Sequence, residues 1–151
     1  MEAALRIRHY WMPYHAALAN LLEAAHNQHG FCLLLDLHSM PGVLQAGAPD
    51  FVLGDRYGTS CTQNLTDLVE QTLHGLGFKT ARNHPYAGGY ITQHYGRPGN
   101  SMYALQIEMR RDLYMDENTR TPHEGFAALA DALTILVEQV QAHFPSQGRG
   151  M

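Results

Sequence analysis

The sequence predicts a three-layer α/β/α domain built on a largely parallel mixed sheet. Helix-like and strand-like patterns alternate along most of the chain, and such alternation places helices on both faces of a sheet. The run Phe31–Leu35 is continuously apolar, which is typical of a strand buried on both faces. The 151 residues suffice for one such domain, which we expect over residues 1–145, followed by a mobile tail over 146–151.

The first half of the chain predicts one long helix and two strands. Apolar residues recur at helical steps from Leu5 to His29, and Gly30 is suited to end that helix. The apolar run 31–35 predicts the first strand, and the stretch from Ser39 to Asp50, which contains Gly and Pro, predicts a loop. Phe51–Leu53 predicts a second, shorter strand.

The second half predicts two further helices and three extended segments. A helix is expected from Thr62 or Asn64 to about Leu76, because either residue can cap it. Further along the chain, extended segments are predicted at 78–81, Tyr90–Thr92 and Tyr103–Met109. The last helix is expected to begin at Thr121–Glu124, which combines a cap, a first-turn proline and a capping-box glutamate.

The composition argues against several classes of partner. A net charge of −4 provides no electrostatic attraction to nucleic acid or to an anionic membrane surface. No apolar run near the centre approaches the roughly 20 residues that a spanning helix requires. Only 2 cysteines occur, and no signal-peptide pattern opens the chain, so we expect a cytoplasmic protein.

His38 is a candidate metal ligand at the end of the first predicted strand. The chain has 10 histidines, and ligand sites in α/β sheets lie at the carboxyl ends of strands. Asp36, two residues earlier, can accept a hydrogen bond from the second ring nitrogen, as metal-bound histidines require. A single histidine is a weak metal signature, so a histidine that merely ends the strand remains an alternative.

Glu108 is a candidate general base near the end of the last predicted strand. It faces away from the apolar side of that strand, where a carboxylate can carry a proton for hydrolysis. A salt bridge to Arg110 or Arg111 is the structural alternative.

The segment 82–90 combines groups that suit recognition of a small acidic molecule. A guanidinium, an amide, two phenols and a Gly-Gly pair occur close together, and glycines let backbone amides approach a ligand. A polar surface turn is the alternative. The candidate residues are Arg82, Asn83, Tyr86, Gly89 and Tyr90, with His94 beside them.

Several segments together resemble the successive motifs of the N-formylglutamate amidohydrolase family. The segments, in chain order, are Leu35–Pro41, Asn83–Thr92, His94–Gly96, Ala104–Glu108 and Leu113–Met115. The resemblance covers nearly the whole chain and implies a phosphorylase/hydrolase-like fold related to zinc carboxypeptidases and aspartoacylase. It also implies zinc-dependent hydrolysis of N-formyl-L-glutamate to formate and L-glutamate, a step of histidine degradation.

The resemblance implies a role for each matching residue. His38 corresponds to the family's last zinc ligand, and Glu108 to the general base that activates water. Arg82 and Asn83 correspond to a pair that holds a substrate carboxylate, in a pocket for a small acidic N-acyl amino acid.

Family members are longer on the N-terminal side, where the other two zinc ligands lie. We therefore expect this chain to be N-terminally truncated relative to the family, to hold zinc weakly, to be impaired in activity and to self-associate. A catalytically silent binding domain for a small acidic ligand is the alternative function.

Overall fold

The computed structural model describes residues 2–42 and 47–144, and the predicted tail over 146–151 lies outside this part. The helices and strands alternate along the chain. They are α1 (Glu2–Arg6), a π-helical segment (Ile7–Trp11), α2 (Met12–His29), β1 (Cys32–Met40), β2 (Phe51–Gly54), α3 (Gln63–Gly75), β3 (Thr80–Arg82), α4 (Tyr90–Tyr95), a 3-10 turn (Pro98–Asn100), β4 (Met102–Arg110), a second 3-10 turn (Arg111–Leu113), β5 (Met115–Asp116), β6 (Thr121–Pro122) and α5 (Gly125–His143).

The main sheet is mixed and mostly parallel, as predicted. Its strand order is β1-β4-β2-β3. The pairs β1/β4 and β2/β3 are parallel, whereas β2 and β4 are antiparallel. Helices pack on both faces, which confirms the predicted fold class.

The two faces of the sheet have separate apolar clusters. One face packs against α3 and α5 through residues such as Phe51, Leu65, Leu105 and Leu136. The other face packs against α2 and α4 around Leu22, Cys32 and Tyr95. Alternate residues of each strand contribute to opposite clusters, because side chains of a strand point to alternating faces.

Strand β1 is longer than predicted. It continues to Met40 because its 9 residues pair in unbroken register with β4, from Cys32 opposite Met102 to Met40 opposite Arg110. The predicted loop from Ser39 therefore begins two residues later, and Asp36 and His38 lie inside a strand.

Two local predictions are wrong. Tyr90–Thr92 is the start of helix α4 rather than a strand, because Gly89 O accepts hydrogen bonds from the Thr92 hydroxyl and the Gln93 amide. Helix α5 begins at Gly125, and Glu124 makes no side-chain capping bond. Thr121 and Pro122 cannot start that helix, because they pair with β5 as a small antiparallel ribbon.

No helix among the described residues is long and apolar enough to cross a membrane.

Candidate active site

Two neighbouring parallel strands bring His38 and Glu108 together. His38 of β1 lies opposite Glu108 of β4, and Asp36 lies opposite Gln106. Paired residues point to the same face, so these four side chains share the face that carries α2 and α4. His38 Nδ1 lies 3.8 Å from Glu108 Oε1.

Gln106 orients the Glu108 carboxylate. Both residues are buried, with exposed fractions of 5% and 6%. The Gln106 amide donates a hydrogen bond to Glu108 Oε1 at 2.9 Å. One carboxylate oxygen is thereby held in place, which suits a group that must meet a substrate in one orientation.

The Gly88–Gly89 turn lies across the same face of the sheet. The Gly89 amide donates to Gln106 Oε1 at 2.7 Å, so Gln106 bridges the turn and Glu108. A Cβ at Gly54 of β2 would lie 2.6 Å from the Gly88 nitrogen. Glycine at position 54 therefore lets the turn lie directly on the sheet.

Asn83 supports the loop that follows β2. Its Oδ1 accepts the amide hydrogens of Asp55 and Tyr57, at 3.2 and 3.3 Å. Its amide nitrogen donates to Asp55 Oδ1 at 2.7 Å. Both side-chain polar atoms of Asn83 thus make hydrogen bonds within the protein, and its predicted contact with substrate stays a prediction.

The structure does not bring Arg82 to the face that carries Glu108. Arg82 lies opposite Leu53 in the register of β2 and β3, which places its side chain on the face covered by α3. There its guanidinium forms ion pairs with Asp67, at 2.6 Å, and with Glu70. Partial burial alone would raise the pKa of Glu70, but hydrogen bonds from Arg82 and Thr80 hold that pKa below its usual range.

The remaining predicted substrate residues lie around α4. Tyr90 and His94 stack with ring centroids 5.1 Å apart, and Tyr90 OH lies 3.3 Å from His94 Nδ1. Trp11 of the π-helical segment lies 5.9 Å from the Tyr90 ring. Tyr86 is 37% exposed in the loop before the Gly88–Gly89 turn. Of the predicted binding residues, only Gly89 has a direct hydrogen bond to Gln106 among the described contacts.

The donor set around His38 fits a zinc ion in part. Asp36 Oδ2 is buried and has no hydrogen-bond donor among the described residues, although it lies 3.2 Å from His38 Nε2. Within residues 2–42 and 47–144, however, no group of three His, Cys, Asp or Glu side chains is arranged to hold a metal. A catalytic zinc ion requires three protein ligands, so these residues do not form a complete zinc site.

Sequence reasoning missed Gln106 and Arg56. The alternation of β4 places Gln106 on the same face as Glu108 and could have identified it. Arg56 is the second residue after the end of β2, and its side chain contacts the Gly88–Gly89 turn through a hydrogen bond to Gly88 O at 3.2 Å. The only sequence signal for Arg56 was its position shortly after a predicted strand.

Sequence comparison relates this chain to one group of enzymes. The sequence model of the N-formylglutamate amidohydrolase family matches residues 1–115. The N-formylglutamate deformylase of Pseudomonas aeruginosa is 33% identical over 144 residues, which are 92% of this chain and 53% of that protein. The N-formylglutamate deformylase of Pseudomonas putida is 35% identical over 112 residues, which are 71% of this chain and 42% of that protein. The chain thus spans about half the length of these curated relatives.

Solved structures agree with the sequence comparison. The crystal structure of N-formylglutamate amidohydrolase from Ralstonia eutropha JMP134 superposes with a TM-score of 0.88 at 43% identity. The match covers 95% of this chain and 54% of that chain. A gene product of Agrobacterium tumefaciens shares the fold, with a TM-score of 0.64 at 17% identity.

Proposed function

Because the chain belongs to the N-formylglutamate amidohydrolase family, we propose that it hydrolyses the amide bond of N-formyl-L-glutamate to formate and L-glutamate. The observation that carries this proposal is the shared face of Glu108, Gln106 and His38, with the Gly88–Gly89 turn bonded to Gln106 beside them. The proposal places the reaction in histidine degradation.

Glu108 is the proposed proton carrier. Gln106 holds Glu108 Oε1, so the carboxylate keeps one orientation towards the substrate. Glu108 takes a proton from the water that attacks the formyl carbon, and it returns that proton to the amide nitrogen as the C–N bond breaks. Formate and the free amino group of glutamate are the products, and the carboxylate is regenerated.

We propose that the reaction depends on zinc, with His38 as one ligand. Bound zinc would supply Lewis-acid chemistry at the formyl oxygen. We expect this chain to hold the ion weakly, because the described residues do not assemble the three ligands of a catalytic site. Weak zinc binding would impair the activity of the isolated chain.

We also propose that the chain self-associates through β1. This strand has 9 residues and lies at the edge of the described sheet, with Leu37 52% exposed. An unpaired edge offers backbone groups to another strand. Antiparallel pairing of two copies about Leu37 would place Asp36 of one copy opposite His38 of the other, so a second copy is complementary to this edge.

A binding domain without catalysis is the second candidate function, favoured by the incomplete ligand set around His38 among residues 2–42 and 47–144. Formate release from N-formylglutamate, followed while zinc is added, separates the two candidates. We expect formate release to keep rising with zinc concentration well beyond the concentrations that would saturate a tight zinc site. Thermal stabilisation by glutamate without any formate release at the highest zinc concentration would favour the binding domain and overturn the hydrolase.

A further inference from the structure

Arg56 is an arginine without a carboxylate partner in the part of the chain that the structure describes. By contrast, the guanidinium groups of Arg82, Arg110 and Arg111 each pair with at least one carboxylate. Arg56 is half-buried, and its one side-chain hydrogen bond among described residues runs from Nη1 to Gly88 O. Most of its donors are therefore free for a ligand.

The neighbouring Asp55 carboxylate does not form an ion pair with Arg56. The buried Asp55 carboxylate accepts hydrogen bonds from the Asn83 amide, the Gly58 backbone amide and the Thr66 hydroxyl, at 2.7, 3.1 and 3.1 Å. These neutral donors satisfy Asp55 without a cation. The positive charge of Arg56 thus has no internal counterion among the described residues.

The backbone holds Arg56 in an unusual conformation. Arg56 and Tyr57 have φ values of 53° and 57°, in the left-handed region that residues with a Cβ rarely adopt. Asn83 Oδ1 accepts the amide hydrogens on both sides of Arg56, those of Asp55 and Tyr57, and so fixes this turn. Such strain is maintained only where surrounding contacts enforce it.

The Arg56 side chain packs on the Gly88–Gly89 turn, which itself contacts Gln106. A Cβ at Gly88 would lie 3.0 Å from Arg56 Cγ, so the arginine stem packs on the backbone of the turn. The next residue, Gly89, donates to Gln106, and Gln106 donates to Glu108. The guanidinium and Glu108 are therefore linked through the Gly88–Gly89 turn and the Gln106 side chain.

We propose that Arg56 binds the side-chain carboxylate of the N-acyl glutamate substrate. This assignment rests on the proposed function. A planar guanidinium matches a carboxylate with two parallel hydrogen bonds. Because the turn and Gln106 separate Arg56 from Glu108, Arg56 suits the carboxylate that is remote from the scissile amide rather than the one adjacent to it. Arg56 would thus select glutamate over amino acids with a neutral side chain.

Calorimetry with L-glutamate and L-glutamine, which are not hydrolysed, tests this assignment independently of turnover. The variants are Arg56→Lys, which keeps the charge but loses the planar fork, and Arg56→Asn, which tolerates a positive φ without the charge. Arg97→Ala, at an exposed arginine without a described carboxylate partner, is the matched control. We expect both Arg56 variants to lose the preference for glutamate by about tenfold or more, with glutamine affinity and the far-UV circular dichroism spectrum unchanged.

An unchanged glutamate preference in both variants, or a wild-type chain without any such preference, would overturn the assignment. These outcomes differ from failure of the proposed function. A wild-type chain that releases no formate but loses glutamate selectivity with Arg56→Asn would retain the carboxylate site and reject the hydrolase. Formate release by the wild-type chain, together with an unchanged glutamate preference in both variants, would retain the hydrolase and reject the carboxylate site at Arg56.

Discussion

His38 Nδ1 and Glu108 Oε1 lie 3.8 Å apart across two parallel strands whose residues are paired one to one. The distance follows from the register of β1 and β4, because a slip by one residue would turn either side chain to the opposite face. The geometry of this pair therefore depends on the 9-residue strand pairing more than on any local loop.

Replacement of Glu108 by glutamine should reduce formate release about 100-fold or more, the usual contribution of a general acid–base group. Glutamine keeps the volume and the hydrogen bond to Gln106 but cannot take a proton from water. Steady-state formate release at a fixed high zinc concentration measures the effect. Glu138→Gln, at an exposed position on α5, is the control, and near-wild-type turnover by Glu108→Gln would reject the proposed role.

The sequence predicted the placement of Glu108 because the alternation over 103–109 determines which residues share a face. The sequence did not predict the positions of Arg82 and Asn83, which lie at the end of a short strand and directly after it. Arg82 ends a strand of 3 residues, too short for alternation to indicate a face, and only the register with Leu53 shows where it points. The sequence did not indicate that Asn83 supports the loop after β2, because its left-handed backbone and its contacts with that loop arise only from tertiary structure.

Replacement of Arg82 by alanine should lower stability while leaving glutamate affinity unchanged. The variant leaves Asp67 and Glu70 without their shared cation on the α3 face. Partly exposed ion pairs contribute modestly, so we expect a loss of about 1 to 2 kcal/mol in the free energy of unfolding. Urea denaturation measures this loss, and calorimetry with glutamate measures affinity. A large fall in glutamate affinity at an unchanged free energy of unfolding would show instead that Arg82 binds the carboxylate.

The contribution of Glu70 should depend on pH in a defined direction. The pKa of Glu70 in the folded chain lies below its ordinary value of 4.5, so its carboxylate stabilises the fold at higher pH. This contribution is lost as the pH falls through the lowered pKa. Wild type should therefore exceed Glu70→Gln in unfolding free energy by about 1 kcal/mol at pH 7, and the difference should vanish in acid. A difference that persists unchanged below pH 3 would contradict the ion pair.

Replacement of Leu37 by lysine should prevent the proposed self-association. The Cys32 amide bonds to Ser101 O next to β4, so the backbone groups of Leu37, an odd number of residues along β1, point to the free edge. In a pairing centred on Leu37, two copies bring this residue opposite itself, and two lysines would repel each other there.

Leu21→Lys is the matched control, because Leu21 is 69% exposed on α2, away from this edge. Sedimentation velocity over a range of concentrations should show association of wild type and Leu21→Lys and a monomer for Leu37→Lys. A monomeric wild type, or association that Leu37→Lys leaves intact, would rule out pairing through β1.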